Sequence, residues 1–330
     1  MPVMVGIRWV ANGFSGSTDL AAVPCTPADP GLGELRVRIR AAGVNPADLK
    51  HVLRAYDPAL LPMPIGYEAV GDVTAVGPGT RAASGAVAVG DRIAAFRVHG
   101  AYAEEMTLPA EKAFVLPAAV PDDQAAGLLL AGTTAAEMLH RSGARRGDTV
   151  LLHGASGAVG AIVVQLAARA GVTVIGTAGI GTAGIGTAGP DRAAAVARFG
   201  GVPVAYGPGL ADRVRDALIR IGVDGPPVAA LDAAGTDEAT AVSLDLVADR
   251  SRIITVADRR AAADHGFVAL SGADAESAAF RDRMRGPLLE LLADGSLTVP
   301  IAARIPLADA PAALDVVASG RAHGKIVLIP

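Results

Sequence analysis

The residues that most directly suggest chemistry are Gly154, Gly157 and Gly160, in the stretch His153-Gly154-Ala155-Ser156-Gly157-Ala158-Val159-Gly160. Glycines so placed let a bare backbone come close to a phosphate. A helix starting there turns unpaired N–H groups and the positive end of its dipole toward the anion. The chemistry indicated is the holding of a dinucleotide's pyrophosphate by Gly154, Ser156, Gly157, Ala158, Val159 and Gly160. The spacing is G-x-x-G-x-x-G rather than the common G-x-G-x-x-G. A glycine-rich connection in any parallel α/β protein could look similar, so the flanking elements must decide.

They favour the dinucleotide. Thr149-Val150-Leu151-Leu152-His153 reads as a short buried strand. After it, Val159, Ile162, Val163, Leu166, Ala167 and Ala170 fall on one helical face, and Gly171 supplies the stop. Strands are expected at 149–153, 172–176, 202–206, 228–232, 252–256 and 267–270, with helices at 157–170, 191–199, 210–221, 237–248 and 259–264. Such alternation gives a doubly wound parallel sheet with helices on both faces, an α/β fold. Ahead of it, Pro121-Asp122-Asp123 opens a helix that runs through Leu139 to Gly143. Residues 1 to about 118 instead read as strands and turns: 34–40 alternates apolar and charged residues, 69–76 and 92–96 look similar, and Gly and Pro are dense from Pro58 to Gly90. The segment 285–330 holds a short helix from Pro287 to Ala293 and a strand from Lys325 to Ile329. We expect it to rejoin the first part. The expected organisation is a discontinuous β-rich, barrel-like domain, 1–118 with 285–330, around a cofactor domain, 119–284.

The end of the second strand sets the choice of nucleotide. An acid there would bond a ribose 2′-hydroxyl and repel a 2′-phosphate. Val174-Ile175-Gly176-Thr177 carries none, which points to NADPH, with Gly176 and Thr177 beside the ribose. Arg192 could pair with the 2′-phosphate, and Lys325 could help. Gly176 to Pro190 reads GTAGI-GTAGI-GTAGP, a five-residue unit three times over, so either Thr177 or Thr187 could take the ribose position. We read the repeat as slippage tolerated in a surface loop.

Composition narrows the classes. Over 330 residues, 51% hydrophobic and 3% aromatic, the chain can bury a large aliphatic core across two domains. A net charge of −4 without blocks of like charge argues against a nucleic-acid surface. Cys25 is the one cysteine, so neither an internal disulfide nor a cysteine–zinc cluster can form. The histidines, at 51, 99, 140, 153, 265 and 323, lack ligand spacing, and no metal is expected. Without a signal-peptide pattern or an apolar run near the ~20 residues of a membrane helix, a cytoplasmic protein is expected.

Several phrases together resemble the medium-chain dehydrogenase/reductase superfamily, in particular its zinc-free quinone oxidoreductase branch. They are AAGVNPADLK (41–50), PIGYEAVGDVTAVG (64–77), GDRIAAFRVHGAYAEEMTLPAEKAFVLP (90–117), AGTTAAEML (131–139), GDTVLLHGASGAVGAIVVQLA (147–167), LDAAG (231–235), SRIITVAD (251–258) and HGKIVLIP (323–330). The resemblance implies a GroES-like β-rich catalytic domain plus a Rossmann domain, with the active site in the cleft between them. Zinc-dependent relatives place a cysteine near residue 44 and a histidine in a G-H-E phrase; here stand Val44-Asn45 and Gly66-Tyr67-Glu68, and the four-cysteine lobe is missing.

Without a Lewis acid to hold an alkoxide, hydride delivery from NADPH to a quinone or an α,β-unsaturated carbonyl is the easier reaction, because an enolate needs only aimed hydrogen-bond donors. The resemblance offers Asn45, Lys50, Tyr56 and Tyr67 as those donors, Tyr67 standing in the place of the absent histidine. Each also has a plainer use, as a turn former, a solvated charge or a packed ring. For the cofactor, the resemblance adds Thr134, Tyr206 near the adenosine phosphate, and Val256 and Ala257 near the carboxamide. It implies a homodimer, and the apolar edge Phe267 to Leu270 would need such a cover. The competing readings are an enoyl reductase acting on polyketide or acyl thioesters, and a non-catalytic NADPH-binding protein of the zeta-crystallin type.

Overall fold

The computed structural model describes residues 6–54, 57–178, 192–320 and 322–330. In chain order the elements are β1 (Gly6–Ala11), β2 (Leu20–Cys25), β3 (Glu34–Val44), α1 (Pro46–Arg54), β4 (Met63–Pro64), β5 (Glu68–Val76), β6 (Arg92–Phe96), β7 (Glu105–Pro109), β8 (Ala113–Val115), α2 (Asp122–Arg141), β9 (Thr149–His153), α3 (Ala158–Ala170), β10 (Thr173–Ala178), α4 (Arg192–Arg198), β11 (Val202–Ala205), α5 (Leu210–Arg220) and β12 (Ala229–Asp232). There follow α6 (Asp237–Leu246), β13 (Ile253–Thr255), α7 (Arg259–His265), β14 (Val268–Ala269), α8 (Ala275–Ala293), β15 (Ile301–Pro306), α9 (Ala310–Ala318) and β16 (Lys325–Ile329). The chain divides into two compact units: Met1–Leu130 with Gly286–Pro330, and Ala131–Arg285. The divisions fall inside α2, rather than ahead of it at 118, and inside α8.

The first unit is β-rich. A sheet runs β15-β16-β3-β5-β6-β8, with β7 also pairing to β3, and a smaller sheet runs β2-β1-β4. β3 shows how the sequence builds it. Leu35, Val37 and Ile39 are buried while Arg38 and Arg40 stay exposed, and then Ala41 to Val44 are buried in succession. A strand covered on both faces loses its alternation, so β3 runs four residues past the expected 34–40. Its inward side chains join Trp9, Ile93, Leu108, Leu314 and Leu328 in one aliphatic core. Trp9 donates its indole N–H to the Leu307 carbonyl at 2.8 Å, tying β1 to the return segment.

The second unit is a six-stranded parallel sheet in the order β11-β10-β9-β12-β13-β14. Counted from β9 this is 3-2-1-4-5-6, the Rossmann order, and its topological switch lies between β9 and β12. β9 is buried along its whole length, because it pairs β10 on one side and β12 on the other. Leu151, Ile175, Val204, Val214, Ala230, Leu246 and Ile253 form its core.

One element differs in kind from expectation. The short helix expected at 287–293 is the last part of α8, which runs 19 residues with Pro287 inside it. A proline suits a helix's first turn, but here the helix continues through it, losing one N–H donor. Among the described residues, no helix is long and apolar enough to cross a membrane.

Candidate functional site

The glycine turn is built by its neighbours. Gly154 follows β9 at φ +77°, a conformation costly for any residue with a Cβ. Its N–H reaches the Thr177 hydroxyl at 3.3 Å, and the next N–H, of Ala155, meets the Thr177 carbonyl at 3.0 Å, so β10 pins the turn. A Cβ at Gly160 would lie 2.2 Å from the Gly154 carbonyl oxygen; only a glycine lets α3 pack this close under the turn. Gly176 serves the same end from β10, where a Cβ would meet Ala155 at 2.6 Å. Gly157 caps α3 without a side-chain bond to its amides, and no acid stands in the first turn. Ser156, Gly157, Ala158 and Val159 are half-exposed. The Gly157 N–H is given to the Gly154 carbonyl at 3.1 Å, while the amides of Ala158 and Val159, with no side-chain cap and no acid in the first turn, suit an anion.

Other residues expected at the nucleotide fall as follows. Gly176 and Thr177 are buried at the end of β10, with Thr177 committed to the turn. Tyr206, 57% exposed, follows β11, and its N–H bonds the Ala178 carbonyl, so β10 and β11 hold it at the carboxyl end of the sheet. Below it, the Arg213 guanidinium donates to the carbonyls of Ala205, Gly207 and Pro208 and fixes that loop. Arg192 opens α4 and is half-exposed. The repeat from 179 to 190, with Thr187, lies outside the described residues. Val256 and Ala257 follow β13, where Val256 N–H bonds the Asp232 carbonyl and Ala257 N–H the Thr255 hydroxyl. Thr134, on α2, is buried and accepts from Arg281, which also donates to Glu137 at 2.6 Å; this network was not legible in the sequence.

Lys325 is the clear correction. Expected at the 2′-phosphate, it is buried in the first unit, donating to Asn45 Oδ1 at 2.5 Å and to Glu68 Oε1 at 2.6 Å. Asn45 also differs from a donor awaiting substrate: its Nδ2 donates to Glu68 Oε1 at 3.0 Å and it is 2% exposed. The physical cause is burial: an ammonium and a carboxylate inside a β-rich core must be paired and bonded to stay there. Asn45 is thus the linchpin of a buried Lys–Asn–Glu cluster. Glu68 Oε2 further accepts the Leu130 N–H at 2.8 Å.

The same turn starts α1. Pro46 takes the first helical position, where its missing N–H is no loss. Asp48 reaches back to the Asn45 N–H at 2.7 Å, half of a capping box. Lys50, half-buried, lies on α1, and Tyr56 lies outside the described residues. Tyr67 is half-buried, and its hydroxyl bonds His51 Nδ1. Its ring stands 5.3 Å from that of His99 and 5.5 Å from that of His51. Burial, then the nearby Asp48 charge, pushes the Tyr67 phenol well up, so it keeps its proton at neutral pH. Burial, then His99, pushes His51 down. Neither histidine was singled out in the sequence, because residues 51, 67 and 99 share no spacing.

Comparison with known proteins places both units. The family model described as the alcohol dehydrogenase GroES-like domain matches residues 31–118, and that described as zinc-binding dehydrogenase matches 213–328. Val44, the engaged Asn45 and Tyr67 stand at the positions where zinc-dependent relatives place a cysteine and a histidine. Among the described residues no group of three or more His, Cys, Asp or Glu could hold a metal. The synaptic vesicle membrane protein VAT-1 homolog of Mus musculus is 39% identical over 175 residues, 51% of this chain and only 42% of that protein. The crystal structure of Escherichia coli quinone oxidoreductase complexed with NADPH superposes with a TM-score of 0.81 at 27% identity, covering 98% of this chain and all of that one. A quinone oxidoreductase of Pseudomonas aeruginosa is 31% identical over 321 residues, 92% of this chain and 93% of that protein. By that near-complete match the chain belongs to the quinone oxidoreductase-like branch of the medium-chain dehydrogenase/reductase superfamily.

Proposed function

We propose that this chain is an NADPH-dependent oxidoreductase that reduces a quinone or an α,β-unsaturated carbonyl without zinc. The observation that carries the reading is the uncapped amino end of α3, set by Gly154, Gly157 and Gly160 at the switch point of a Rossmann sheet. When bound, NADPH supplies the hydride. The chain supplies the rest. Amides of Ala158 and Val159 hold the pyrophosphate, with Gly154, Ser156, Gly157 and Gly160 shaping the turn. Gly176 leaves room at the ribose, Tyr206 covers the adenosine phosphate, and Arg192 pairs the 2′-phosphate. Thr134, Val256 and Ala257 bound the nicotinamide side. Lys50 and Tyr67 serve the acceptor oxygen, Tyr67 as proton donor. Tyr56 is kept as a third donor, while Asn45 acts by positioning α1. β14 ends its sheet and is the edge we propose for a homodimer.

The test is stopped-flow oxidation of NADPH and of NADH with simple quinones, enones and acyl thioesters, alongside calorimetric binding of each cofactor. Tight NADPH binding with turnover on quinones or enones upholds the reading. Turnover on acyl thioesters alone would move it to an enoyl reductase, and binding without turnover to a non-catalytic role.

A further inference from the structure

Beside Tyr67, in the first unit, is a small, partly enclosed space that the family assignment does not explain. It has a volume of about 10 Å³ and is lined by Asp48, His51, Pro64, Ile65, Gly66, Tyr67 and His99. That is room for one water, and the lining has the polar groups a buried water needs. Asp48 is 1% exposed. Its Oδ2 accepts the Asn45 N–H at 2.7 Å and the Tyr102 hydroxyl at 3.0 Å. Its Oδ1 is buried with no partner. An orphaned carboxyl oxygen in a core is costly unless a proton or a water satisfies it. At the other end His99 is exposed, with its ring 5.9 Å from that of His51.

We propose that Asp48, His51 and His99, joined by one water in this space, form a proton store that refills Tyr67 from solvent. The proposal rests on the reductase reading above only for what Tyr67 does with its proton. With a proton on His51 Nδ1, that nitrogen donates to the Tyr67 oxygen and leaves the phenol's own proton free for an acceptor. The sequence then balances without moving electrons. The phenol O–H bond breaks as its proton passes to an oxyanion. As the His51 Nδ1 proton passes to the phenolate oxygen, the Asp48 proton passes through the water to His51 Nε2, so the ring stays neutral throughout, and the resulting carboxylate is reprotonated from solvent through His99. Burial pushes the Asp48 carboxyl up to about 7, so a proton is present to give near neutrality. The charged and titratable groups acting on Asp48 are Lys325, Glu68, Tyr102 and Tyr67, and the group acting on His51 is His99.

The experiment uses the full chain labelled with ¹⁵N-histidine, titrated by NMR in wild type, Asp48→Asn and His99→Gln. Asparagine keeps an oxygen for the two bonds at Oδ2. His99→Gln, at the surface, keeps the test open should the first variant not fold. Linked groups titrate in shared steps. The expected result is a two-step His51 titration, its own step and one linked to Asp48, that collapses to one step, at lower pH, in Asp48→Asn, and that moves to higher pH in His99→Gln, where the neighbouring ring that pushes His51 down is gone. A His51 curve unchanged in both variants overturns the store. The second arm is the pH dependence of kcat with 1,4-benzoquinone and NADPH. Loss of the store should lower kcat of Asp48→Asn about tenfold near pH 6 with KM little moved, and the two enzymes should converge near pH 9, where Asp48 has already lost its proton. An equal loss at both pH values would mark Asp48 as merely structural and overturn the proposal. If wild type oxidises no NADPH, the reductase reading fails, and the histidine titration alone upholds or overturns the store.

Discussion

Replacing Asp48 with asparagine should stabilise the protein above neutrality and leave it nearly unchanged in acid. In the folded chain burial raises this carboxyl from 3.8 to about 7; backbone and side-chain bonds from Asn45 and Tyr102, and the Lys325 ammonium, offset only part of that cost. In the unfolded chain it ionises near its ordinary value. Between the two values the native state therefore holds more protons than the unfolded state. Stability must fall as pH rises through this window, opposite to the usual carboxylate. A displacement of about three pH units corresponds to roughly 4 kcal/mol at most, fully developed above about pH 8 and absent below about pH 4. Asparagine never ionises, so the variant escapes this loss. The assay is urea unfolding of both proteins across that range, followed by Trp9 fluorescence in the unit concerned. Parallel pH profiles for the two proteins would refute the reasoning. So would a variant less stable at high pH.

Gly160→Ala should weaken NADPH binding at least about tenfold and destabilise by about 1–3 kcal/mol, since the new methyl would sit 2.2 Å from the Gly154 carbonyl oxygen and push α3 off the turn. Calorimetry and urea unfolding read the two effects, and an unchanged dissociation constant would count against the pyrophosphate assignment. Lys325→Met should cost about 3 kcal/mol by leaving the buried Glu68 and Asn45 without their cation, while NADPH affinity stays within about twofold; a selective loss of NADPH over NADH binding would restore Lys325 to the phosphate. Tyr206→Ala, at an exposed position, should leave stability within about 0.5 kcal/mol and weaken the cofactor, read by the same two methods.

Much of the second unit was legible because each buried strand there is short and bracketed by turn residues. β9 and its glycine turn needed only Val150, Leu151 and Leu152 between Thr149 and Gly154. The first unit was legible where one face meets solvent, as with Arg36, Arg38 and Arg40 on β3, and obscure where both faces are covered. α1 went unnoticed because Asn45-Pro46 reads equally well as a turn. The proton-bearing cluster was hidden for a different reason. Asp48, His51, Tyr67 and His99 come from a helix and from two connections far apart in the chain, and no local pattern shows that one carboxyl oxygen among them has no donor. Lys325 was misplaced on similar grounds: a lysine near the chain's last strand looks like a surface charge until β16 is seen to lie against β3.

That placement of β16 also orders events during synthesis. When the ribosome has made residues through 285, every strand of the Rossmann sheet already exists and can pair. The other sheet then still lacks the strand that belongs between β15 and β3, and Glu68 has waited through more than 250 codons for its cation. The earlier-made half of the sequence is therefore the later one to close, and a nascent chain stalled short of β16 would expose the apolar flank of β3 to chaperones or to its own kind.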